Sequence, residues 1–312
     1  MENSPVSIRL RNTKHIIVVL SGKGGVGKSS VTTQLALSLY ASSPTAKVGI
    51  LDIDLTGPSI PRMLGVDGHP VHQSTDGWVP VYADGAERRL GCMSVGFLVK
   101  KRGDSVVWRG PKKNGMIRQF LADVRWGDLD YLVIDTPPGT SDEHLSLLEH
   151  LAGIHDKLSA VVVTTPQAVA LMDVMKCLSF TRTVNLPVLG LIENMSGYVC
   201  PCCGEISAVF STGGGVEMAR KEGLTMLGSL PIEAELVTLL DAEASAPELL
   251  QQNPATDGTQ AVSNGSSAVQ QVAASTFPLL QKYEQTSSAK VFKGIVNSIL
   301  ESLATTTVTL AT

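Results

Sequence analysis

The sequence predicts an α/β fold in which a mostly parallel β-sheet carries helices on both faces. Short apolar segments alternate with segments of helical periodicity along most of the 312 residues, as in strands joined by crossover helices. A glycine-rich loop, Gly22–Ser29, joins the first apolar segment to the first helical one. Asp52 and Asp135 end two later apolar segments. Because the carboxyl ends of parallel strands share one edge of a sheet, we expect the loop and both aspartates to meet there.

The first predicted strand, Ile16–Leu20, leads into a loop that is typical of phosphate binding. Its glycines let successive N–H groups point at phosphate oxygens, and the start of the predicted helix Ser30–Tyr40 adds donors and the positive end of a dipole. Lys28 is suited to the outer phosphates, and the Ser29 hydroxyl is suited to Mg²⁺. The residues expected to bind the nucleotide here are Gly22, Lys23, Gly24, Gly25, Val26, Gly27, Lys28, Ser29 and Ser30.

Lys23 is a second lysine near the start of this loop. The arrangement resembles the deviant Walker A loop of the MinD, ParA, nitrogenase iron protein and Mrp superfamily. In that superfamily the early lysine reaches the nucleotide of a partner subunit. The resemblance therefore implies a catalytic role for Lys23, together with Lys28, in a dimer. A solvated lysine without a role is the alternative.

Two acidic segments follow predicted strands at the same edge. The strand Lys47–Asp52 runs on to Asp54, and both aspartates are candidates for holding Mg²⁺ through water and for orienting the attacking water. Asp54 lies further into the loop, so we assign the water to it. The alternative is that both carboxylates cap turns.

The strand Asp130–Asp135 and the loop Thr136–Asp142 match a Walker B strand and its switch loop. Asp135 is expected to hold the magnesium shell through water. The Gly139 N–H is expected to approach the terminal phosphate and so to respond to hydrolysis.

The last two predicted strands are expected to supply the residues that contact the base of the nucleotide. Pro187–Ile192 is a predicted strand, and Asn194 follows it with an amide that can pair with the adenine edge. Pro231, in the strand that closes the series, is expected to flank the base. The segment around Asn194 lacks the Lys-x-Asp pattern that reads guanine in many GTPases, which favours adenine.

We interpret residues 1–312 as a single domain. Residues 251–275 are rich in Gln, Ser, Ala, Thr, Asn and Gly, which predicts a flexible insertion. Residues 290–303 recover helical spacing. Only Lys290 and Lys293 flank the apolar stripe of this predicted C-terminal helix, so core packing is favoured over membrane binding.

The composition excludes several classes of protein. The net charge of −4 disfavours general nucleic-acid binding. There is no apolar run of about 18 residues, and the first 15 residues lack the apolar stretch of a secretory signal. We therefore expect a cytoplasmic protein without membrane or nucleic-acid partners, whose five cysteines are reduced thiols.

Cys200 and Cys203 form a Cys-x-x-Cys pair. Thiolates select zinc or iron–sulfur clusters, and either site needs about four protein ligands. The chain has no second such pair, so a symmetric dimer would have to supply the other two thiolates. A zinc bridge and a free or redox-active dithiol are the alternatives. Cys202 is expected to point away from the pair.

The motifs together resemble those of Mrp-type ATPases, which belong to the SIMIBI class of P-loop NTPases. The matching segments are Gly22–Ser29, Asp52–Ser59, Trp108–Pro111, Asp135–Thr140, Glu193–Gly197 and Cys200–Cys203. This family carries and delivers iron–sulfur clusters, and its cytosolic eukaryotic members are scaffolds for [4Fe–4S] assembly. Residues 1–15 contain no cysteine, as in the short cytosolic type without an N-terminal cluster site.

The resemblance implies a weak ATPase that uses ATP and Mg²⁺ and that shares a [4Fe–4S] cluster between subunits. It implies a homodimer, a heterotetramer with a longer paralogue, or both, and apoproteins as recipients of the cluster. The first alternative is a positioning ATPase like MinD or ParA, which binds membrane or nucleic acid. The second is a small-molecule kinase or a metal-insertion GTPase.

Overall fold

The computed structural model describes residues 4–98, 110–210, 213–241 and 277–311, with side chains up to residue 305. The strands are β1 (Thr13–Ser21), β2 (Val48–Asp52), β3 (His72–Ser74), β4 (Gly77–Val79), β5 (Val81–Tyr82), β6 (Leu90–Ser94), β7 (Leu129–Asp135), β8 (Leu158–Thr164), β9 (Val188–Val199), β10 (Ile206–Ser207) and β11 (Met226–Ile232). The α-helices are α1 (Pro5–Arg9), α2 (Lys28–Ala41), α3 (Ile60–Met63), α4 (Gly110–Ala122), α5 (Asp142–Leu151), α6 (Ala168–Thr183), α7 (Gly214–Glu222), α8 (Ala234–Leu240), α9 (Pro278–Tyr283) and α10 (Ser287–Ala311).

One large sheet has the strand order β9-β8-β1-β7-β2-β6-β5, and both β11 and β10 pair with β9. Neighbouring strands are parallel, except that β5 is antiparallel to β6 and β10 is antiparallel to β9. β3 and β4 form a separate antiparallel hairpin. The prediction of a mostly parallel sheet is confirmed.

Helices cover both faces of the sheet, so the side chains of its central strand, β1, are buried on both sides. Ile17 and Val19 of β1 pack in a cluster with α2 and α10. Ile16 and Val18 alternate with them and pack in a second cluster with α1, α4 and α5. Side chains along a strand point alternately to opposite faces, so this division places helices on both.

β9 is longer than predicted. The sequence predicts a strand that ends at Ile192, but β9 continues to Val199. The extension is held by partners distant in sequence, since Leu230 of β11 pairs with Asn194 and Ile206 of β10 pairs with Val199. Pairing with strands that are distant in the sequence does not appear in the local pattern of apolar residues, so the sequence could not predict this extension.

The C-terminal helix packs against the sheet. The predicted helix 290–303 lies within α10, and its apolar stripe is buried at Phe292, Ile295, Val296, Ile299 and Leu303. Gly228 of β11 permits the close approach, because a Cβ there would lie 2.9 Å from the Ile295 side chain. Glu233 accepts hydrogen bonds from the N–H groups of Ser287 (2.8 Å) and Ser288 (3.0 Å), which caps the start of α10.

Some predictions fall outside the described residues: the insertion 251–275, Trp108 and Arg109. Within residues 4–98, 110–210, 213–241 and 277–311, no helix combines the length and apolar character of a membrane-spanning segment.

Candidate nucleotide and metal site

The glycine-rich loop joins the end of β1 to the start of α2. Gly25 and Gly27 adopt left-handed backbone conformations, with φ of 78° and 77°. A Cβ on Gly27 would lie 2.2 Å from the Asn194 amide nitrogen, so glycine is required there both for conformation and for space. The N-terminus of α2 therefore opens directly into the loop, as a phosphate-binding loop requires.

Three side chains of α2 converge on Asp135 at the end of β7. Lys28 Nζ lies 2.7 Å from one Asp135 oxygen, and both side chains are almost fully buried. Ser29 Oγ donates to Asp135 at 2.7 Å, and Thr32 Oγ1 donates at 2.6 Å. The structure thus brings together the predicted residues Lys28, Ser29 and Asp135. Hydroxyl and carboxylate oxygens are the donors that Mg²⁺ prefers, so this set fits a magnesium ion.

Sequence reasoning missed Thr32. It follows Lys28 by one helical turn, so both side chains lie on the same face of α2. Thr32 also donates to the Lys28 carbonyl at 3.0 Å. A hydroxyl four residues after the loop lysine is the signal that could have identified it.

Asp52 lies beside Asp135, because β2 and β7 pair with these two residues in register. Burial and the neighbouring Asp135 carboxylate raise the pKa of Asp52. Ser94 Oγ donates to Asp52 at 2.9 Å, and the Asp54 N–H donates at 3.0 Å. Ser94, on β6, lies opposite Asp52 in the pairing of β2 with β6. The sequence did not single it out. A divalent cation held between the two carboxylates would favour the ionised form of both.

Asp54 sits in the turn after β2 and bonds to that turn. Its Oδ1 accepts from Thr56 Oγ1 at 2.7 Å and from the N–H groups of Thr56 and Gly57 at 3.3 and 3.2 Å. This is the turn-capping arrangement that the sequence left as an alternative. The orientation of a water molecule by Asp54 stays a prediction.

The switch loop after β7 touches the start of the phosphate loop. Gly139, with φ of 79°, donates its N–H to the Ser21 carbonyl at 2.9 Å. A contact between this N–H and a phosphate would replace that bond. Lys23 is half-buried nearby, and its carbonyl accepts from Ser21 Oγ at 3.2 Å.

His144, on the first turn of α5, is a buried residue that sequence reasoning did not identify. Its Nδ1 accepts from the Ser141 N–H at 3.2 Å, and its Nε2 is buried without a hydrogen-bond partner among the described residues. Burial lowers the pKa of His144 to about 4, and the Lys28 charge acts in the same direction. The neutral imidazole therefore fixes the turn that links the switch loop to α5.

Asn194 and Pro231 lie on neighbouring strands next to the loop. The Asn194 amide donates to the Val26 carbonyl at 2.9 Å, and Leu230, which precedes Pro231, pairs with Asn194. Met195, which follows Asn194, has a left-handed backbone with φ of 59°. Asn194 thus contacts the phosphate loop directly, and its recognition of adenine stays a prediction.

The cysteine pair lies in the turn between β9 and β10. The Cys200 N–H donates to the Glu205 carbonyl at 2.9 Å, and the Gly204 N–H donates to the Cys200 carbonyl at 2.8 Å. Cys200 is half-buried, and Cys202 and Cys203 are exposed. Backbone N–H groups of Cys203 and Cys202 hydrogen-bond the Cys200 thiol and lower its pKa. The side chains of both residues also hydrogen-bond this thiol, so the prediction that Cys202 points away from the pair is wrong. A thiolate in such a turn is prepared for a metal or a cluster.

The other two cysteines behave as core residues. Cys92 and Cys177 are buried, and burial raises the pKa of Cys177 to about 12 and that of Cys92 well above its ordinary value. Across the described part of the chain, no three His, Cys, Asp or Glu side chains of one subunit come together as a metal site.

Sequence comparison identifies relatives over most of the chain. A model of the ParA family, described as NUBPL iron-transfer P-loop NTPase, matches residues 12–273. The cytosolic Fe-S cluster assembly factor CFD1 of Mycosarcoma maydis is 62% identical over 239 residues, which is 75% of this chain and 65% of that protein. The NUBP2 homolog of Nematostella vectensis, also named a cytosolic Fe-S cluster assembly factor, is 54% identical over 81% of this chain and 92% of its own length.

Solved structures agree with the sequence matches. A nucleotide-binding protein from Archaeoglobus fulgidus, in complex with ADP and with cobalt, is 38% identical, with a TM-score of 0.65 over 76% of this chain and 89% of its own. The MinD cell division protein of Aquifex aeolicus shares the fold at 17% identity, with a TM-score of 0.55 over 92% of this chain and 97% of its own.

Proposed function

Since this chain belongs to the ParA family of NUBPL iron-transfer P-loop NTPases, we propose that it is an ATP-dependent scaffold that assembles [4Fe–4S] clusters. In this proposal the scaffold transfers the clusters to cytosolic and nuclear apoproteins. The names of its relatives, cytosolic Fe-S cluster assembly factors, support both the cargo and the cytoplasmic location predicted from the sequence.

The observation that carries the proposal is the path of β9. This one strand contacts the phosphate loop through Asn194 and ends at Val199, directly before Cys200. Five residues lie between Asn194 and Cys200, so the two are at most roughly 20 Å apart at about 3.3 Å per residue. A change of the loop on nucleotide binding therefore has a route to the thiols along a single strand.

At the nucleotide end, we propose that Lys28 exchanges Asp135 for the outer phosphates. Ser29, Asp135 and the neighbouring Asp52 would hold Mg²⁺, directly or through water. The metal, when bound, neutralises charge that develops on the phosphates. Lys23 would act on the nucleotide of a partner subunit, and Asp54 would orient the attacking water. We expect weak intrinsic ATPase activity, because both of these contributions depend on rearrangement.

At the cysteine end, Cys200 and Cys203 of two subunits would supply four thiolates to one cluster. The exposed position of Cys203 is compatible with a shared and labile cargo. A homodimer, a heterotetramer with a longer paralogue, or both would provide the second pair. The positioning alternative is not favoured, because the apolar stripe of α10 is buried rather than available to lipid.

The test is anaerobic purification of the full chain, reconstitution with iron and sulfide, and measurement of both per subunit. We expect near two irons per subunit, since one four-iron cluster would be shared by two chains. Cys203→Ala should abolish binding. Cys202→Ala is the matched control and should retain iron, because the N–H of residue 202 remains available to Cys200.

Two outcomes would overturn the proposal. Iron that remains bound in Cys203→Ala would place the cluster elsewhere. Bound zinc, or no metal at all in the unaltered chain, would assign the turn a structural role and leave only the nucleotide site.

A further inference from the structure

A large groove lies at the edge of the sheet opposite the phosphate loop. Its walls come from residues just before the parallel strands: Arg11 and Asn12 precede β1, Trp126 and Gly127 precede β7, and Arg88 precedes β6. The groove encloses about 1070 Å³, which is enough for several residues of a peptide. The nucleotide site occupies the carboxyl ends of the same strands, so the two sites lie on opposite edges.

The groove concentrates positive charge on an acidic chain. Arg9, Arg11, Arg88 and Arg125 all line it, whereas the whole chain has a net charge of −4. Among the described residues, none of these four guanidinium groups lies within 4.0 Å of a carboxylate oxygen. By contrast, Arg62, Arg89 and Arg182 each form an ion pair.

Uncharged groups hold two of these arginines in place. Arg9 donates to the Ala122 carbonyl at 2.8 Å and to the Asp76 carbonyl at 2.7 Å. Arg125 donates to Ser74 Oγ at 3.2 Å. These contacts order the side chains without a direct ion pair, so a bound anion would meet donors that are already positioned.

Arg88 is fixed in a different way. Its guanidinium lies 4.7 Å from the centre of the Tyr82 ring, and its backbone is left-handed with φ of 52°. A left-handed conformation is unfavourable for a long side chain. This cation–π contact orders the guanidinium without an ion pair, so its N–H groups can meet a ligand.

Apolar side chains line the same groove. Ile8, on α1, is 55% exposed there, and Pro5 and Val79 contribute further apolar surface. A ligand that carried only charge would leave this surface in water. A ligand with both carboxylates and apolar side chains would cover both kinds of lining.

We propose that this arginine groove, defined by Arg9, Arg11, Arg88 and Arg125, binds an acidic, partly apolar peptide segment of a protein partner. Nucleic acid fits less well, because Asp76 and Asp123 also line the groove and would repel a continuous phosphate backbone. Discrete carboxylates on a peptide can be spaced to avoid them. The proposal does not depend on the cluster or on the cysteine turn.

The test uses the full chain and a fluorescein-labelled peptide, Asp-Asp-Leu-Asp-Glu-Leu-Asp-Glu, in fluorescence polarisation at low ionic strength. We expect saturable binding that weakens as salt is added. The amide peptide, with Asn and Gln in place of the acids, should bind at least tenfold more weakly. Ile8→Ser should weaken binding of this peptide but not of one with Gly in place of Leu.

The triple variant Arg11→Gln/Arg88→Gln/Arg125→Gln should lose on the order of tenfold in affinity, as expected for three partly exposed charge contacts. The matched control is Arg118→Gln/Arg220→Gln/Lys221→Gln, which removes the same charge from exposed positions outside the groove and should stay within about twofold. Unchanged ADP binding verifies that both variants fold.

Equal losses in both triple variants would overturn the proposal, since binding would then follow net charge alone. Absence of saturable binding below about 1 mM would overturn it as well. A single-stranded dT20 oligonucleotide that displaced the peptide at lower concentration would assign the groove to nucleic acid instead.

Discussion

At the scale of single residues, the buried charges explain why particular side chains sit around the nucleotide loop. Lys28 and Asp135 neutralise each other inside the protein, and Ser29 and Thr32 donate further hydrogen bonds to the carboxylate. A buried ion pair is tolerated only when such hydrogen bonds surround it. Sequence reasoning identified Lys28, Ser29 and Asp135 because their chemistry has a fixed spacing. It missed Ser94, because this serine gains meaning only from its neighbours in space, and it missed Thr32 although the spacing of Thr32 from Lys28 was a usable signal.

His144 should make stability depend on pH. Its pKa is about 4 in the folded protein and about 6.5 when unfolded, so the unfolded chain binds the proton more readily. The contribution of His144 is therefore fully present above pH 6.5 and is lost as pH falls toward 4, by up to about 3 kcal/mol. Urea unfolding at several pH values measures it.

In that experiment, His144→Asn should flatten the pH dependence relative to the unaltered chain, since Asn keeps an acceptor near Ser141 but does not titrate. His72→Asn is the control, because His72 is exposed and should leave the profile unchanged. Identical profiles for His144→Asn and the unaltered protein would contradict the assignment of His144 as a buried neutral imidazole.

At the scale of elements, the sequence predicts structure that depends on local periodicity better than structure that depends on pairing between distant segments. The sequence predicts a helix over Ser30–Tyr40, which lies within α2, because helical periodicity is local. It predicts too early an end for β9, whose extension depends on pairing with β11 and β10. The sequence could not predict the burial of His144 for a similar reason, since His144 on α5 packs against the ring of Phe180 on α6.

A methyl group added at Gly228 of β11 and one added at Gly294 of α10 should change the free energy of unfolding in opposite directions. Gly228→Ala places a methyl group 2.9 Å from Ile295 and should lower the free energy of unfolding by about 1–3 kcal/mol. Gly294→Ala, on the exposed side of α10 with no atom within 4 Å of its Cβ, should raise it by about 1 kcal/mol. Denaturant titrations of both variants give the two signs. Equal effects would show that α10 does not depend on this close approach.

At the scale of the whole molecule, the sheet separates three regions. The nucleotide loop lies at the carboxyl ends of the strands, the arginine groove lies at the amino ends, and the cysteine turn extends from β9. The sequence predicts the first and third regions, which are formed by contiguous motifs. It does not predict the groove, whose arginines are distributed from residue 9 to residue 125 and meet only through the order of the strands.

This separation predicts that nucleotide stabilises the protein without the thiols. MgADP at about 100 times its Kd should add about 2.7 kcal/mol to the free energy of unfolding, which a thermal melt detects as a rise in Tm. Cys200→Ala/Cys203→Ala should retain the rise, whereas Lys28→Ala should lose most of it. A double cysteine variant that no longer responds to MgADP would show that the turn takes part in nucleotide binding.

The pairing of Lys28 with Asp135 has a consequence for the cycle of nucleotide binding and release. When no nucleotide is bound, the loop lysine has a buried counter-charge within the chain, so release of the ligand leaves no isolated cation in the interior. In the proposed site, loading would exchange one anion for another at the same ammonium group. The chain can persist between rounds of loading without a substitute ion, and the strength of its internal pair limits how tightly any phosphate can be held.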